Sequence, residues 1–249
     1  MAEAPRIAIF GATSAIAQAV ARPYAARGAR FFLVARDANK LDAVHADLLA
    51  RGAAQSATRA VDLARTELHA GLVDAAADAL AGIDVALIAH GVLPDQAQCQ
   101  QSFEDARRAI AVNFTSAASL AHELVNRFEK RGEGTVVAIG SVAGDRGRQS
   151  NYVYGAAKGA LALYLQGVRH RLHGTGVRVI TVKPGFVDTP MTAAFPKGPL
   201  WASPDRVARD IVRAIDRGES REIYAPGFWR AVMAIIRAVP ERLFVRTKL

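Results

Sequence analysis

Apolar residues in this chain fall into short unbroken runs, separated by stretches in which they recur every three or four positions. Arg6-Ile7-Ala8-Ile9-Phe10, Arg30-Phe31-Phe32-Leu33-Val34-Ala35, Asp84-Val85-Ala86-Leu87-Ile88-Ala89 and Thr135-Val136-Val137-Ala138-Ile139-Gly140 are rich in β-branched and aromatic residues. Such runs mark strands buried on both faces. Weaker runs at Ala57 to Leu63, Val177 to Val182 and Arg221 to Ala225 bring the total to about seven, the last an edge strand. Between them the spacing predicts helices: Ala15 to Arg27, closed by Gly28; a segment with Leu41, Val44, Leu48 and Leu49 on one face; one between the third and fourth strands; two around Asn113; and one carrying Tyr154 and Lys158. A further helix begins at Ser203-Pro204-Asp205, an N-cap with Pro at the first helical position. Strand and helix alternate throughout, which predicts an α/β fold with a doubly wound parallel sheet and helices on both faces.

Composition narrows the class. A chain of 249 residues, 51% apolar, fits one α/β domain, here residues 1–225 with a tail over 226–249. The single Cys99 cannot form an intrachain disulfide, and no His/Cys spacing suggests a metal, so a reducing compartment is expected. The N-terminus carries an acid and enters the first strand without an apolar signal segment, which points to the cytoplasm. The formal charge of +9 admits nucleic acid, anionic lipid or an anionic substrate as partner, but no nucleic-acid motif is present. From Arg221 onward, Arg221, Arg230, Arg237, Arg242, Arg246 and Lys248 face only Glu222 and Glu241, so the tail holds +4 of the +9.

Candidate chemistry starts at Tyr154 and Lys158. Their spacing of four puts a phenol and an ammonium on one helix face. A free tyrosine titrates near pH ~10, and a cation beside it favours the phenolate. Lowering the pKa by about three units takes about 4 kcal/mol, which one close, partly desolvated ammonium can supply. Ser141, at the end of the fourth of the long runs, offers a hydroxyl to the phenol. At the other end of the chain, the first strand runs through Gly11-Ala12-Thr13-Ser14-Ala15-Ile16-Ala17 into a helix. This strand, turn and helix N-terminus is where a nucleotide pyrophosphate binds in a Rossmann-type sheet.

Together these segments resemble the short-chain dehydrogenase/reductase family over nearly the whole chain. The resemblance implies that Ser141, Tyr154 and Lys158 are catalytic, and that Asn113 holds a water linking the lysine to solvent. It implies cofactor contacts from Gly11, Thr13, Ser14, Ala15 and Ile16 in the first turn, from Asp62 and Leu63 near the adenine, and from His90 and Gly91 in a turn where Asn-Ala-Gly is usual. Pro184, Gly185, Val187 and Thr189 would follow near the nicotinamide. The chain departs from the family in having Ala15 and Ala17 where glycine is usual. His90 reads as a packing variant or, less simply, as a base. After the second strand stand Ala35 and Arg36 instead of an acid that would bind the NAD ribose, which favours NADP(H) over NAD(H); Arg36 paired with Asp37 on the surface is the alternative.

Substrate signals are sparser. Arg146 and Arg148 lie between the serine and the tyrosine, where they would meet a substrate phosphate or remain solvated, and Tyr152 lacks an ammonium partner and would line the pocket. A helix from Phe228 to Val239, stopped by Pro240, would put Phe228, Val232, Ile235, Ile236 and Val239 on one face and Arg230 and Arg237 opposite. That face suits either a membrane interface, giving peripheral contact at the inner face of the membrane, or packing on the protein or a partner subunit. The segments Gly140 to Arg146, Asn151 to Gly155, Ala89 to Leu93 and Tyr224-Ala225-Pro226 resemble decaprenylphosphoryl-2-keto-ribose reductases. That resemblance implies a keto group on a lipid-phosphate-linked sugar, although the cofactor turn and Arg36 depart from it. The alternatives are a reductase of a soluble or acyl-chain ketone and a non-catalytic NADP sensor. Family resemblance also implies a homo-oligomer, dimer or tetramer, paired through helices around 115–131 and 152–172.

Overall fold

Alternation along each strand decides which side of the sheet its residues fill. In the first strand Ile7 and Ile9 join one core, and Ala8 and Phe10 join the other. In the second, Phe31, Leu33 and Ala35 point one way and Phe32 and Val34 the other. A strand buried on both sides needs helices on both sides, and the chain supplies them. The structure, a computed structural model, describes residues 4–247. Met1 to Glu3, on which the reading of the N-terminus rests, and Lys248 of the basic tail lie outside the described residues.

Seven strands, β1 (Arg6–Phe10), β2 (Arg30–Ala35), β3 (Gln55–Ala60), β4 (Val85–Ile88), β5 (Glu133–Ile139), β6 (Gly176–Pro184) and β7 (Glu222–Ala225), form one sheet in the order β3-β2-β1-β4-β5-β6-β7. All six pairings are parallel. The connecting helices are α1 (Ala15–Ala25), α2 (Ala38–Ala50), α3 (His69–Leu80), α4 (Gln96–Gln101), α5 (Phe103–Ile110), α6 (Ala117–Arg131), α7 (Tyr152–Arg171) and α8 (Pro204–Asp216). Buried residues of α1, α2 and α8 pack on one face of the sheet and those of α3, α6 and α7 on the other. The order reverses between β1 and β4, so loops leaving their C-terminal ends diverge and open a crevice there.

Three expectations shift. β3 runs Gln55–Ala60, not Ala57 to Leu63, because it is an edge strand without a fully buried residue, and its register follows β2, from Arg30↔Gln55 to Ala35↔Ala60. Val61 keeps one bond to β2, from its amide to the Ala35 carbonyl at 2.9 Å, and Val61 to Leu63 line the crevice. The two helices around Asn113 are joined without a break by a π-helical turn, Ala111–Ser116. The tail forms α9 (Trp229–Ala238) and a short α10 (Glu241–Phe244). Cys99 is buried beside Ala106, Ala109 and Val153, as a packing residue.

Candidate active site

The crevice at the reversal point is a cleft of about 430 Å³, and every residue expected to hold cofactor or carry chemistry lines it, from Gly11 and Arg36 at one end to Tyr154, Lys158 and Thr189 at the other. The turn after β1 depends on Gly11. Its φ is +95°, and a Cβ there would lie 2.4 Å from the His90 amide nitrogen, a combination only glycine tolerates. Ala15 and Ala17, the departures from the family pattern, sit in the first turn of α1, and Ala81 is the one non-glycine residue of positive φ among the described residues. Their methyl groups therefore cost no backbone strain. Ser14, at the N-cap, makes no capping bond with its side chain, which leaves the first N–H groups of α1 without that cap at a helix start whose Ser14, Ala15 and Ile16 line the cleft.

Arg36 lines the far end of the cleft with Lys40, one helical turn further on. Asp37 does not neutralise Arg36. Its carboxylate caps α2 by accepting from the Lys40 amide at 3.1 Å and lies 3.5 Å from the Lys40 ammonium. These contacts hold its pKa below the ordinary carboxylate value. Arg36 has no ion pair among the described residues. Sequence reasoning missed Lys40, although its spacing from Arg36 at a helix start was a usable signal. It also missed Met191 and Thr192, which line the cleft after Thr189. Asp62 accepts from the Ala64 amide at 3.0 Å, which turns the chain beside the cleft.

At the opposite end four elements converge. Ser141 stands two residues after β5, and its Oγ accepts from the Ala143 amide at 3.1 Å. Tyr154 and Lys158 share one face of α7, with Nζ 5.9 Å from the ring centroid. Lys158 is 4% exposed and donates to the Ile139 carbonyl at 2.9 Å. A Cβ on Gly91 would lie 2.8 Å from Asn113 Oδ1 and 3.5 Å from Lys158 Nζ, so glycine at 91 lets both groups approach. The Asn113 amide donates to the Val92 and Ala109 carbonyls at 2.9 Å each and accepts from the Val92 amide at 3.1 Å. It thereby ties the loop after β4 to the π-helical turn, which satisfies backbone groups that a regular helix would pair internally.

Burial sets the electrostatics. It pushes the Tyr154 phenol above its ordinary pKa, with the neighbouring Ser141 hydroxyl as the opposing influence. Burial also brings the Lys158 ammonium down to about 8. The sequence argument expected the lysine to lower the tyrosine pKa; in this structure the influences on the phenol are burial, which raises it, and the Ser141 hydroxyl, which lowers it. Tyr154 thus holds its proton at neutral pH. His90 is neutral, pushed down to about 3 by burial and then by Lys158 and His69. Its Nε2 lies 2.8 Å from Ser116 Oγ, while its Nδ1 is buried without a partner. A weak base facing away into Ser116 packs the turn.

The expected substrate residues do not line the cleft. Arg146 turns to the tail, where it donates to main-chain carbonyls of α9. Arg148 donates to Met233 Sδ at 3.5 Å, and its buried Nε has no partner among the described residues. Tyr152 is 44% exposed. The tail helix also differs from its expected phase. Trp229 and Met233 are buried with Val142, and Val232 and Ile236 pack beside them. Phe228 and Ile235 face outward, 45% and 69% exposed. The helix thus splits the predicted face between the protein and solvent. Trp229 fills the space behind Gly185, where a Cβ would lie 1.8 Å from indole Cε2. No helix among the described residues is long and apolar enough to cross a membrane.

This geometry agrees with what the chain matches. Residues 5–199 match the short chain dehydrogenase family. The chain is a short-chain dehydrogenase/reductase. The enzyme is similar to uncharacterised oxidoreductases of Streptomyces coelicolor, 37% identical over 244 residues and covering 96% of this chain and 94% of the relative, and of Mycobacterium tuberculosis, 35% identical over 240 residues and 96% of each. Among solved structures, levodione reductase superposes with a TM-score of 0.81 at 21% identity, covering 90% of this chain and 97% of that one. The short-chain dehydrogenase assignment makes the protein an NAD(P)-binding oxidoreductase and accounts for the seven-stranded parallel sheet. It leaves cofactor preference and substrate to be argued from the residues.

Proposed function

We propose that this enzyme is an NADPH-dependent carbonyl reductase in which Ser141, Tyr154 and Lys158 act on one carbonyl oxygen. The observation that carries the reading is the pairing of two ends of a single cleft: an uncompensated Arg36 with Lys40 at one, and the convergent serine, tyrosine and lysine at the other. The residues present fit a dinucleotide. Gly11 lets the turn pack against the His90 backbone beside the cleft, the Ser14 side chain does not cap α1, and Arg36 and Lys40 at the same end would suit a 2′-phosphate.

When bound, the nicotinamide supplies or accepts hydride. The chain does the rest. Tyr154, protonated at neutral pH, is the acid that delivers a proton to the substrate oxygen. Ser141 donates a hydrogen bond to the same oxygen as charge develops on it. Lys158 places a positive charge near the phenol ring, which stabilises the phenolate left after proton transfer, and Asn113 fixes the π-helical turn beside it. Replacement of the proton runs from the Lys158 side, where Asn113 and Gly91 meet the ammonium.

For the substrate, the resemblance to decaprenylphosphoryl-2-keto-ribose reductases and the exposed Phe228 and Ile235 of the basic tail support a ketone on a lipid-phosphate handle presented at a membrane surface. A soluble or acyl-chain ketone is the second reading, favoured by the withdrawal of Arg146 from the cleft. Sedimentation with anionic liposomes separates them, since indifference to lipid supports the second. An oligomer paired through α6 and α7 is consistent with Leu163, 70% exposed on α7. The decisive test of the chemistry is Tyr154→Phe. It should abolish NADPH-dependent ketone reduction and leave NADPH binding largely intact. More than a few per cent residual turnover would overturn the assignment.

A further inference from the structure

α9 ends at Ala238, and the last carbonyls of a helix have no partner within it. Here the partner comes from a distant loop. Arg146 Nη1 donates to the carbonyls of Ile236 at 2.5 Å and Val239 at 2.6 Å, with Arg237 at 3.3 Å. Its Nη2 meets Glu241 Oε2 at 3.2 Å, and its guanidinium lies 3.8 Å from the centroid of the Phe244 ring. The side chain is 12% exposed. A guanidinium at a helix C-terminus complements the dipole, and its planar fork can serve several acceptors while stacking on a ring.

Arg146 belongs to the loop between Ser141 and Tyr154, and its neighbours are fastened in the same direction. Asp145, 2% exposed, accepts from Lys183 Nζ at 2.5 Å and from the Tyr224 hydroxyl at 2.7 Å. Val142, next to the serine, packs on Trp229 and Met233. Gln149 donates to the Thr247 carbonyl at 3.0 Å. Trp229 in turn backs Gly185 in the cleft wall. The serine loop and the wall after β6 therefore lean on one tail.

We infer that Arg146 is a positioning residue: by capping α9 it fixes the loop that carries Ser141, so the tail is a working part of the active-site wall. This rests on the reading of Ser141 and Tyr154 as carbonyl-reducing groups. The test is Arg146→Ala, assayed with NADPH and phenanthrenequinone as the probe ketone, beside hydrogen exchange of the free protein. Expected are a fall in kcat of about tenfold or more, an NADPH Kd within about twofold of wild type, and partial recovery of kcat by added guanidinium at matched ionic strength. Exchange over residues 142–151 should quicken by about tenfold or more. Phe244→Leu, which loosens the same contact from the tail side, should reproduce the exchange change in milder form and serves if Arg146→Ala does not fold. Unchanged protection of 142–151 in either variant would overturn the inference whatever the activity. So would wild-type kcat in Arg146→Ala, or a fall that guanidinium leaves untouched. A wild-type protein that binds NADPH but reduces no ketone would instead overturn the carbonyl-reductase reading, while the exchange data still decide the clamp.

Discussion

Replacing Arg36 with alanine tests the cofactor end of the cleft most directly. Asp37 is committed to the α2 cap and to Lys40, so the guanidinium carries no internal partner whose loss would confuse the result. A 2′-phosphate bears about −1.5 to −2 charges at neutral pH. A hydrogen bond to a charged group contributes about 1.5–3 kcal/mol, which at about 1.4 kcal/mol per decade is roughly 10- to 150-fold in affinity. Arg36 is exposed, so the lower part of that range applies, about 10- to 30-fold. Lys40 remains and sets a floor; Arg36→Ala with Lys40→Ala should fall further. NADH lacks the phosphate and should lose only any stacking on adenine, about threefold or less. The assay is equilibrium titration of each dinucleotide at two ionic strengths, because screening should shrink the NADPH difference in the wild type more than in the variant. Parallel losses for NADPH and NADH, or none for NADPH, would refute the reasoning.

Two further predictions concern the buried groups. Lys158→Met should destroy turnover yet stabilise the fold near neutral pH. The folded-state pKa of about 8 lies below the ordinary 10.5. Below pH ~8 both folded and unfolded chains hold the proton, so the full cost of burying the charge, about 3 kcal/mol, is present. As pH rises between those values the unfolded chain holds more protons, wild-type stability rises, and the advantage of methionine should fade. Losing the bond to Ile139 offsets about 1 kcal/mol, leaving a gain of about 2 kcal/mol in denaturant unfolding at neutral pH; a destabilised Lys158→Met at that pH would contradict this. Gly185→Ala should destabilise by about 1–3 kcal/mol through collision with Trp229. Adding Trp229→Leu should recover part of the loss, and an additive pair would show that the contact is not the cause.

The interior of the fold was legible because β1, β2, β4 and β5 are runs that only a two-sided sheet can bury, and because Gly11 follows β1, Ser141 follows β5, and Tyr154 and Lys158 lie on the next helix. Edge strand β3 was misplaced by two residues at its start, since its register comes from pairing with β2 and not from its own pattern. α9 was phased wrongly for a different reason. Ala231, Ala234 and Ala238 are small enough to sit anywhere, so apolar residues surround the helix, and its inward side is chosen by Val142 and Arg146, which lie far away in sequence. Arg146 read as a ligand for phosphate or a solvated charge because a loop arginine advertises charge but not the carbonyls it will meet. The raised pKa of Tyr154 was likewise invisible, since spacing shows proximity to an ammonium and says nothing about loss of water.

The π-helical turn at Ala111–Ser116 has a consequence for the chain's tolerance of length changes. Successive residues of an α-helix turn by about 100°, so the widened turn resets the rotational phase between α5 and α6. Ala106 and Ala109 face α7 on one side of it, while Leu120, Leu124 and Phe128 face the sheet on the other. Deleting one residue within the turn would let the segment wind as a continuous α-helix with the side chains beyond it still facing their present neighbours, whereas winding all six residues as α-helix would swing every side chain beyond by about 100°. The turn works as a gear with one tooth too many, and the chain's two helical halves mesh because the surplus is taken up there and not passed on to α6.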